Sequence, residues 1–156
     1  MQTKKCQAGF SLIELMIVVA IVGILAALAI PNLMASRRAA NEASAISAVR
    51  TISSSEATYR QTFGEGSTYA SLSELEAASL IDMVLADATV PARAKNSYIY
   101  AITLPDDLTE FVIGAAPINS AGGSRRFSSD TPGVIYVDIS DVTTVPTTVT
   151  GSPVSN

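Results

Sequence analysis

The sequence predicts an α+β fold: one long N-terminal α-helix, hydrophobic in its first half, packed by its second half on a small antiparallel β-sheet head. Three observations predict it. Residues 15–30 form a run of 16 apolar residues, counting Gly23. Helical periodicity then continues to about residue 63, with no proline between Pro31 and Pro91. Segments rich in aromatic and β-branched residues, separated by Pro and Gly turns, follow between residues 98 and 139. The chain has 156 residues, enough for one domain or one with an appendage.

Composition narrows the function. The chain is 48% hydrophobic but only 15% charged, against a usual charged share of about 25%. Its formal net charge is -4, from 10 basic and 14 acidic residues. That balance argues against nucleic-acid binding, which calls for a basic face. There is no histidine, so Ser-His and Cys-His catalysis and His-containing zinc sites are excluded. The single cysteine, Cys6, forms no intrachain disulfide. It precedes the apolar run, whereas a lipobox cysteine follows one.

Counted from Phe10, the apolar stretch is 21 residues long, interrupted only by Ser11 and Glu14. As a helix it extends roughly 30 Å, the thickness of a bilayer's hydrocarbon core. Lys4 and Lys5 precede it, with no acid in the first nine residues; positive-inside bias keeps that end cytoplasmic. Three readings compete. A signal peptide cleaved after the apolar run needs a small-residue site, and residues 26–29 are interrupted by Leu28. A plain membrane anchor explains length and orientation but not Glu14, since a carboxylate within a membrane helix costs up to about 2.5–3.5 kcal/mol. The third reading places processing before the run, which then stays in the mature chain.

The residues behind the third reading are contiguous: Lys4-Lys5-Cys6-Gln7-Ala8-Gly9-Phe10-Ser11-Leu12-Ile13-Glu14-Leu15-Met16. They resemble the class III signal of the type IV pilin superfamily, a short basic leader followed by Gly, Phe, Thr or Ser, Leu-Ile-Glu and an apolar helix. The resemblance is dense from Lys4 to about Asn32 and loose beyond. It implies a pilin-like fold and cleavage by a prepilin peptidase between Gly9 and Phe10. It also implies N-methylation of the new Phe10 amine, and assembly through Glu14 facing the terminal ammonium of a neighbouring subunit. Pairing offsets much of the cost that each lone charge carries among apolar helices. Without the flanking motif, Glu14 reads as a charge that snorkels to the headgroups. The resemblance also implies that the stretch between Gly23 and Pro31 loses helicity on assembly; on physical grounds alone, a modest proline kink serves as well.

Five segments follow: a cleaved leader (1–9), a hydrophobic transmembrane and filament-core helix (10–32), an amphipathic helix entering the head (33–63), the head (64–139) and a Ser/Thr-rich tail (140–156). In the amphipathic helix Ile46, Val49, Ile52, Tyr59 and Phe63 form the stripe, with Glu56 taking one step of it. Arg37, Arg38, Glu42, Arg50 and Arg60 supply the polar side, and the helix ends at Gly64-Glu65-Gly66. Arg37 and Arg38 either mark a membrane boundary, pair with acids on adjacent subunits, or are simply solvated.

In the head, Ser71-x-x-Glu74 has capping-box spacing and opens a short helix that closes near Leu80-Ile81-Asp82. Strand signals cover residues 98–104, 110–116, 125–128 and 134–139, a meander of three or four strands whose inner face covers the stripe. The tail reads as irregular, ahead of an edge strand at 141–145 or sites for O-linked glycans. Asp130, Asp138 and Asp141 lack a calcium-loop spacing, and no phosphate loop occurs.

The reading is therefore of a non-enzymatic structural subunit of a type IV pilus, with no metal and no cofactor. Its expected partners are further copies of itself in a helical filament, prepilin peptidase and the pilus assembly machinery. The precursor is expected in the inner membrane and the mature chain on the cell surface. A minor pilin or type II secretion pseudopilin is the nearest alternative, and a membrane-anchored extracytoplasmic binding module the alternative of another class.

Overall fold

The computed structural model describes residues 10–131, 133–139, 143–149 and 151–154. The fold is α+β: a long N-terminal helix, α1 (Leu12–Thr62), and a five-stranded antiparallel sheet. Chain contacts divide the molecule into two units, Met1–Ser36 and Arg37–Asn156, and each is described by itself.

In the first unit the structure is the opening stretch of α1. Its helix has no polar face, and its large side chains are open to solvent: Leu12 is 76% exposed, Ile24 65% and Leu28 68%. Pro31 lies inside α1 and the helix continues through it. Proline has no N–H for the carbonyl four residues back. Next to it the Asn32 amide donates to the Leu28 carbonyl at 3.2 Å, and the Ser36 hydroxyl to the Asn32 carbonyl at 2.9 Å.

In the second unit the remainder of α1 turns amphipathic. Ala45, Ala48, Val49 and Ile52 are buried and share one core with Tyr69, Leu75, Tyr98, Tyr100, Ile113 and Phe127. Beyond Thr62 the chain reverses through Glu65 and Gly66 at positive φ, while the Gly64 and Gly66 amides donate to the Tyr59 and Arg60 carbonyls. Helix α2 (Leu72–Ala77) opens on Ser71 with both halves of the capping box formed. Expected to close the segment, Asp82 instead accepts the Leu85 N–H at 2.6 Å and caps a second short helix, α3 (Met83–Ala86). A 3-10 turn, Pro91–Arg93, follows.

The sheet runs in order β1 (Tyr98–Thr103), β2 (Val112–Pro117), β3 (Arg126–Asp130), β4 (Ile135–Asp138), β5 (Ser152–Pro153), each pair antiparallel. The register aligns Tyr100 with Ala115, Ala115 with Phe127 and Phe127 with Val137 across one face. The outer edge of β1 is not bare, for the Tyr100 amide donates to the Ala88 carbonyl at 2.7 Å.

Four further details differ from the sequence reading. The tail contributes a fifth strand, because the Val154 amide reaches the Ile135 carbonyl at 2.8 Å beside the two β5 residues. Strand β2 is buried on both faces rather than one, since residues 145 and 146 lie over Gly114. Glu42 does not join the polar side of α1; it is 4% exposed. Phe63 is 54% exposed, lying just past the end of α1 and tilted against Tyr59 with ring centroids 5.5 Å apart.

Candidate functional site

The chemistry-bearing residues of the N-terminal segment gather at the first turn of α1. Gly9 and the leader lie outside the described residues. Phe10 is 78% exposed and extended ahead of the helix. Ser11 immediately precedes the first helical residue, and Glu14 is the third residue inside. Glu14 Oε2 accepts the Ser11 backbone N–H at 3.3 Å. That is half of a capping box, and it satisfies a donor that the helix start otherwise leaves open. Sequence reasoning missed this role, although Ser11-x-x-Glu14 has the same spacing as Ser71-x-x-Glu74. An acid in the first turn also complements the positive end of the helix dipole. Within the described residues, the local Ser11 N–H is the hydrogen-bond partner of Glu14 and no cation pairs with it. A Cβ added at Gly23 meets nothing within 4 Å, so no contact among the described residues requires glycine there.

Fourteen large apolar side chains between Phe10 and Ile30 are exposed. At about 1.5–3 kcal/mol each, covering them is worth tens of kcal/mol. The stretch is long and apolar enough to cross a membrane. Among the described residues nothing covers it.

The second unit holds two buried carboxylates that the sequence did not single out as anchors. Glu42 Oε1 accepts the amide and hydroxyl of Ser124 at 2.9 and 2.8 Å, and Oε2 accepts Arg125 Nε at 2.8 Å. Burial works to raise its pKa, but the Ser124 and Arg125 hydrogen bonds outweigh that and hold it below the ordinary carboxylate value. Glu56 is fully buried, and its Oε2 accepts the Ala70 N–H at 3.0 Å while Oε1 has no partner. Burial pushes Glu56 up to about 7, with the Glu74 charge adding to the effect and the Ala70 bond opposing it.

Neither group lies in a catalytic arrangement. A shallow groove of about 320 Å³ along α1 is lined by Arg50, Ser53, Ser54, Tyr69, Phe111 and Thr131, without a nucleophile–base pair. Among the described residues no group of acids, Cys or His is arranged to hold a metal. Asp138 is held by Arg126 at 2.6 Å; Asp141 lies outside the described residues.

Residues 4–30 match the family model of the prokaryotic N-terminal methylation motif. The chain carries the N-terminal segment of a type IV pilin-like prepilin. Similar proteins include the type II secretion system core protein G of Aeromonas hydrophila, 48% identical over 44 residues, covering 28% of this chain and 31% of that protein. They also include the type IV wide pilus major component PilA4 of Thermus thermophilus, 65% identical over 34 residues, covering 22% of this chain and 26% of that one. A core protein G from Pectobacterium carotovorum is 39% identical over 54 residues, covering 35% of each chain. Thus the matches span about a quarter to a third of the relatives' length, and the pilin-like segment is similar to both pilus and secretion-system subunits. No solved structure matches the chain.

Proposed function

We propose that the mature chain is a structural, non-enzymatic subunit of a type IV pilus. In this reading prepilin peptidase removes residues 1–9 by cutting between Gly9 and Phe10. The Phe10 amine is then N-methylated. Loss of Lys4 and Lys5 leaves 8 basic against 14 acidic residues. The precursor sits in the inner membrane through residues 10–32, with the amphipathic helix, head and tail outside. The assembly machinery moves it from lipid into a filament on the cell surface.

The observation that carries the reading is the bare apolar stretch of α1 headed by Glu14, whose carboxylate has no cation within the described subunit. Packing the stretch against identical helices replaces lipid without exposing it to water. The Phe10 ammonium of one subunit and Glu14 of the next then neutralise each other and set the register. Gly23 and Pro31 supply the points at which the helix bends on assembly.

Mass spectrometry of the mature chain tests the processing, with N-methyl-Phe at Phe10 expected; an intact Met1 overturns it. Electron microscopy of sheared surface fibres, with peptide identification, tests the assembly. Gly9→Leu and Glu14→Ala are expected to abolish fibres, and normal fibres from either variant overturn the mechanism.

The similarity to core protein G supports a second reading, a pseudopilin of a type II secretion system. Deletion separates the two: loss of long surface fibres favours the pilus, and a secretion defect with fibres intact favours the pseudopilin.

A further inference from the structure

After residue 9 the chain has eight basic residues, and the head engages six of them internally. Arg93, Lys95, Arg125 and Arg126 form ion pairs with Asp87, Asp82, Glu42 and Asp138. Arg60 donates to the Gly66 carbonyl and the Tyr69 hydroxyl, and Arg50 is engaged as well. Arg37 and Arg38 are different: neither has an ion pair among the described residues, and Arg38 Nε is shielded from solvent with no hydrogen-bond partner. They stand at the start of the second unit.

The opposite end of that unit is acidic. Glu65 follows α1 at φ 52°, and the Tyr69 amide bonds to the Leu108 carbonyl at 2.9 Å, placing the β1–β2 turn beside it. Asp106, Asp107 and Glu110 of that turn are exposed, as is Glu65, and none has an ion pair among the described residues. Glu65 carries the wrong sign for its own helix, because the C-terminal end of α1 is already negative. From Arg38 to Thr62 the helix rises roughly 36 Å, so the two poles do not reach each other within one subunit.

We infer that the Arg37–Arg38 pole of one copy docks on the Glu65, Asp106, Asp107 and Glu110 pole of a second copy. Such a contact is heterologous, joining two different patches, and propagates as an open helix when it does not close. Opposite charges at the poles fix which end meets which and repel the like-to-like pairing. The inference rests on the filament reading above and adds the head surface through which subunits recognise each other.

Without Cys6 the mature chain has no cysteine, so Arg38→Cys combined with Asp107→Cys reports the contact directly. Oxidised, sheared fibres are expected to give a ladder of dimers, trimers and higher species that collapses on reduction, while each single-cysteine variant stops at dimers. In parallel, Arg37→Glu with Arg38→Glu is expected to cut fibre yield roughly tenfold, and adding Asp106→Arg with Asp107→Arg to restore most of it. Fibres of the double-cysteine variant without a ladder overturn the inference and leave the filament reading standing; absence of wild-type fibres overturns both. Loss of membrane-bound precursor on Arg37 and Arg38 reversal, without rescue by the acid reversals, assigns the arginines to lipid headgroups and overturns it too.

Discussion

Arg125 closes on Glu42: its Nη2 lies 2.6 Å from Oε2, and the carboxylate is almost fully buried while the guanidinium is half open to water. The contact joins the β2–β3 loop to α1 across more than eighty residues of chain, together with Asn41 Nδ2 donating to the Gly122 carbonyl at 2.9 Å. Glu42→Ala removes the acceptor for four donations, from the Ser124 amide and hydroxyl and from Arg125 Nε and Nη2. The expected loss is about 3 kcal/mol. Arg125→Ala costs less than Glu42→Ala, because the Ser124 bonds remain. Chemical denaturation of the detergent-solubilised mature chain, with both singles and the double, measures the coupling; a coupling near zero removes Glu42 as the anchor of that loop.

Glu56 predicts an unusual pH dependence. Its folded pKa is raised from 4.5 to about 7, chiefly by burial. The folded state therefore prefers the neutral acid. Its contribution is fully present below pH 4.5 and is lost as pH rises from 4.5 through about 7. The shift corresponds to roughly 3 kcal/mol across that window. Glu42 acts with the opposite sign and in a different window, since its stabilisation is lost only as pH falls below the ordinary carboxylate value. Glu56→Gln keeps an acceptor for the Ala70 amide without the charge. Melting temperature followed from pH 5 to 8 is expected to fall in the wild type and to stay flat in Glu56→Gln; parallel curves reject the buried ionisation.

Much of this architecture was legible because it rests on local patterns. The apolar run, the periodicity of Val49 and Ile52, the Ser71-x-x-Glu74 box and the β-branched strands each state their structure within a few residues. What escaped depends on partners distant in sequence. Glu42 is charged, which assigns it to the polar side with the arginines, yet 42, 45, 49, 52 and 56 continue one helical stripe; Ser124 and Arg125 make that position habitable. Helix α3 is four residues long, too short for periodicity, and its signal is the Asp82 cap alone. Strand β5 has the composition of a turn and exists because β4 offers it an edge. At the N-terminus the motif is plain, but a lone carboxylate at the start of an apolar helix points to a partner outside the subunit, whereas Ser11-x-x-Glu14 is also the spacing of the local Glu14 to Ser11 hydrogen bond.

Gly114 tests the cover that the tail gives the sheet. A Cβ there runs into the Pro146 carbonyl oxygen and falls 2.6 Å from Val145 Cγ1. The Pro146 oxygen belongs to the backbone and the Val145 side chain is β-branched and stiff, so Gly114→Ala must lift residues 145 and 146 off β2. The expected destabilisation is about 1–3 kcal/mol, the usual range for overpacking. Limited proteolysis is expected to cut the tail faster in Gly114→Ala than in the wild type, alongside a lower melting temperature. Unchanged proteolysis and melting mean that the tail does not rest on Gly114.

Glu14 combines two roles that substitution can separate. Its carboxylate caps the helix through the Ser11 N–H, and the filament reading gives it the charge that meets a neighbouring Phe10 ammonium. Glutamine retains an oxygen for the cap but removes the charge; alanine removes both. A lost exposed cap costs only about 1 kcal/mol and frays the first turn, whereas an unpaired ammonium among packed apolar helices costs several times that. Glu14→Gln is therefore expected to lose fibres as completely as Glu14→Ala, while circular dichroism of the detergent-solubilised monomer shows first-turn helicity kept in Gln and reduced in Ala. Fibres from Glu14→Gln but not from Glu14→Ala reverse the assignment, making the cap rather than the charge the contribution of Glu14 to assembly.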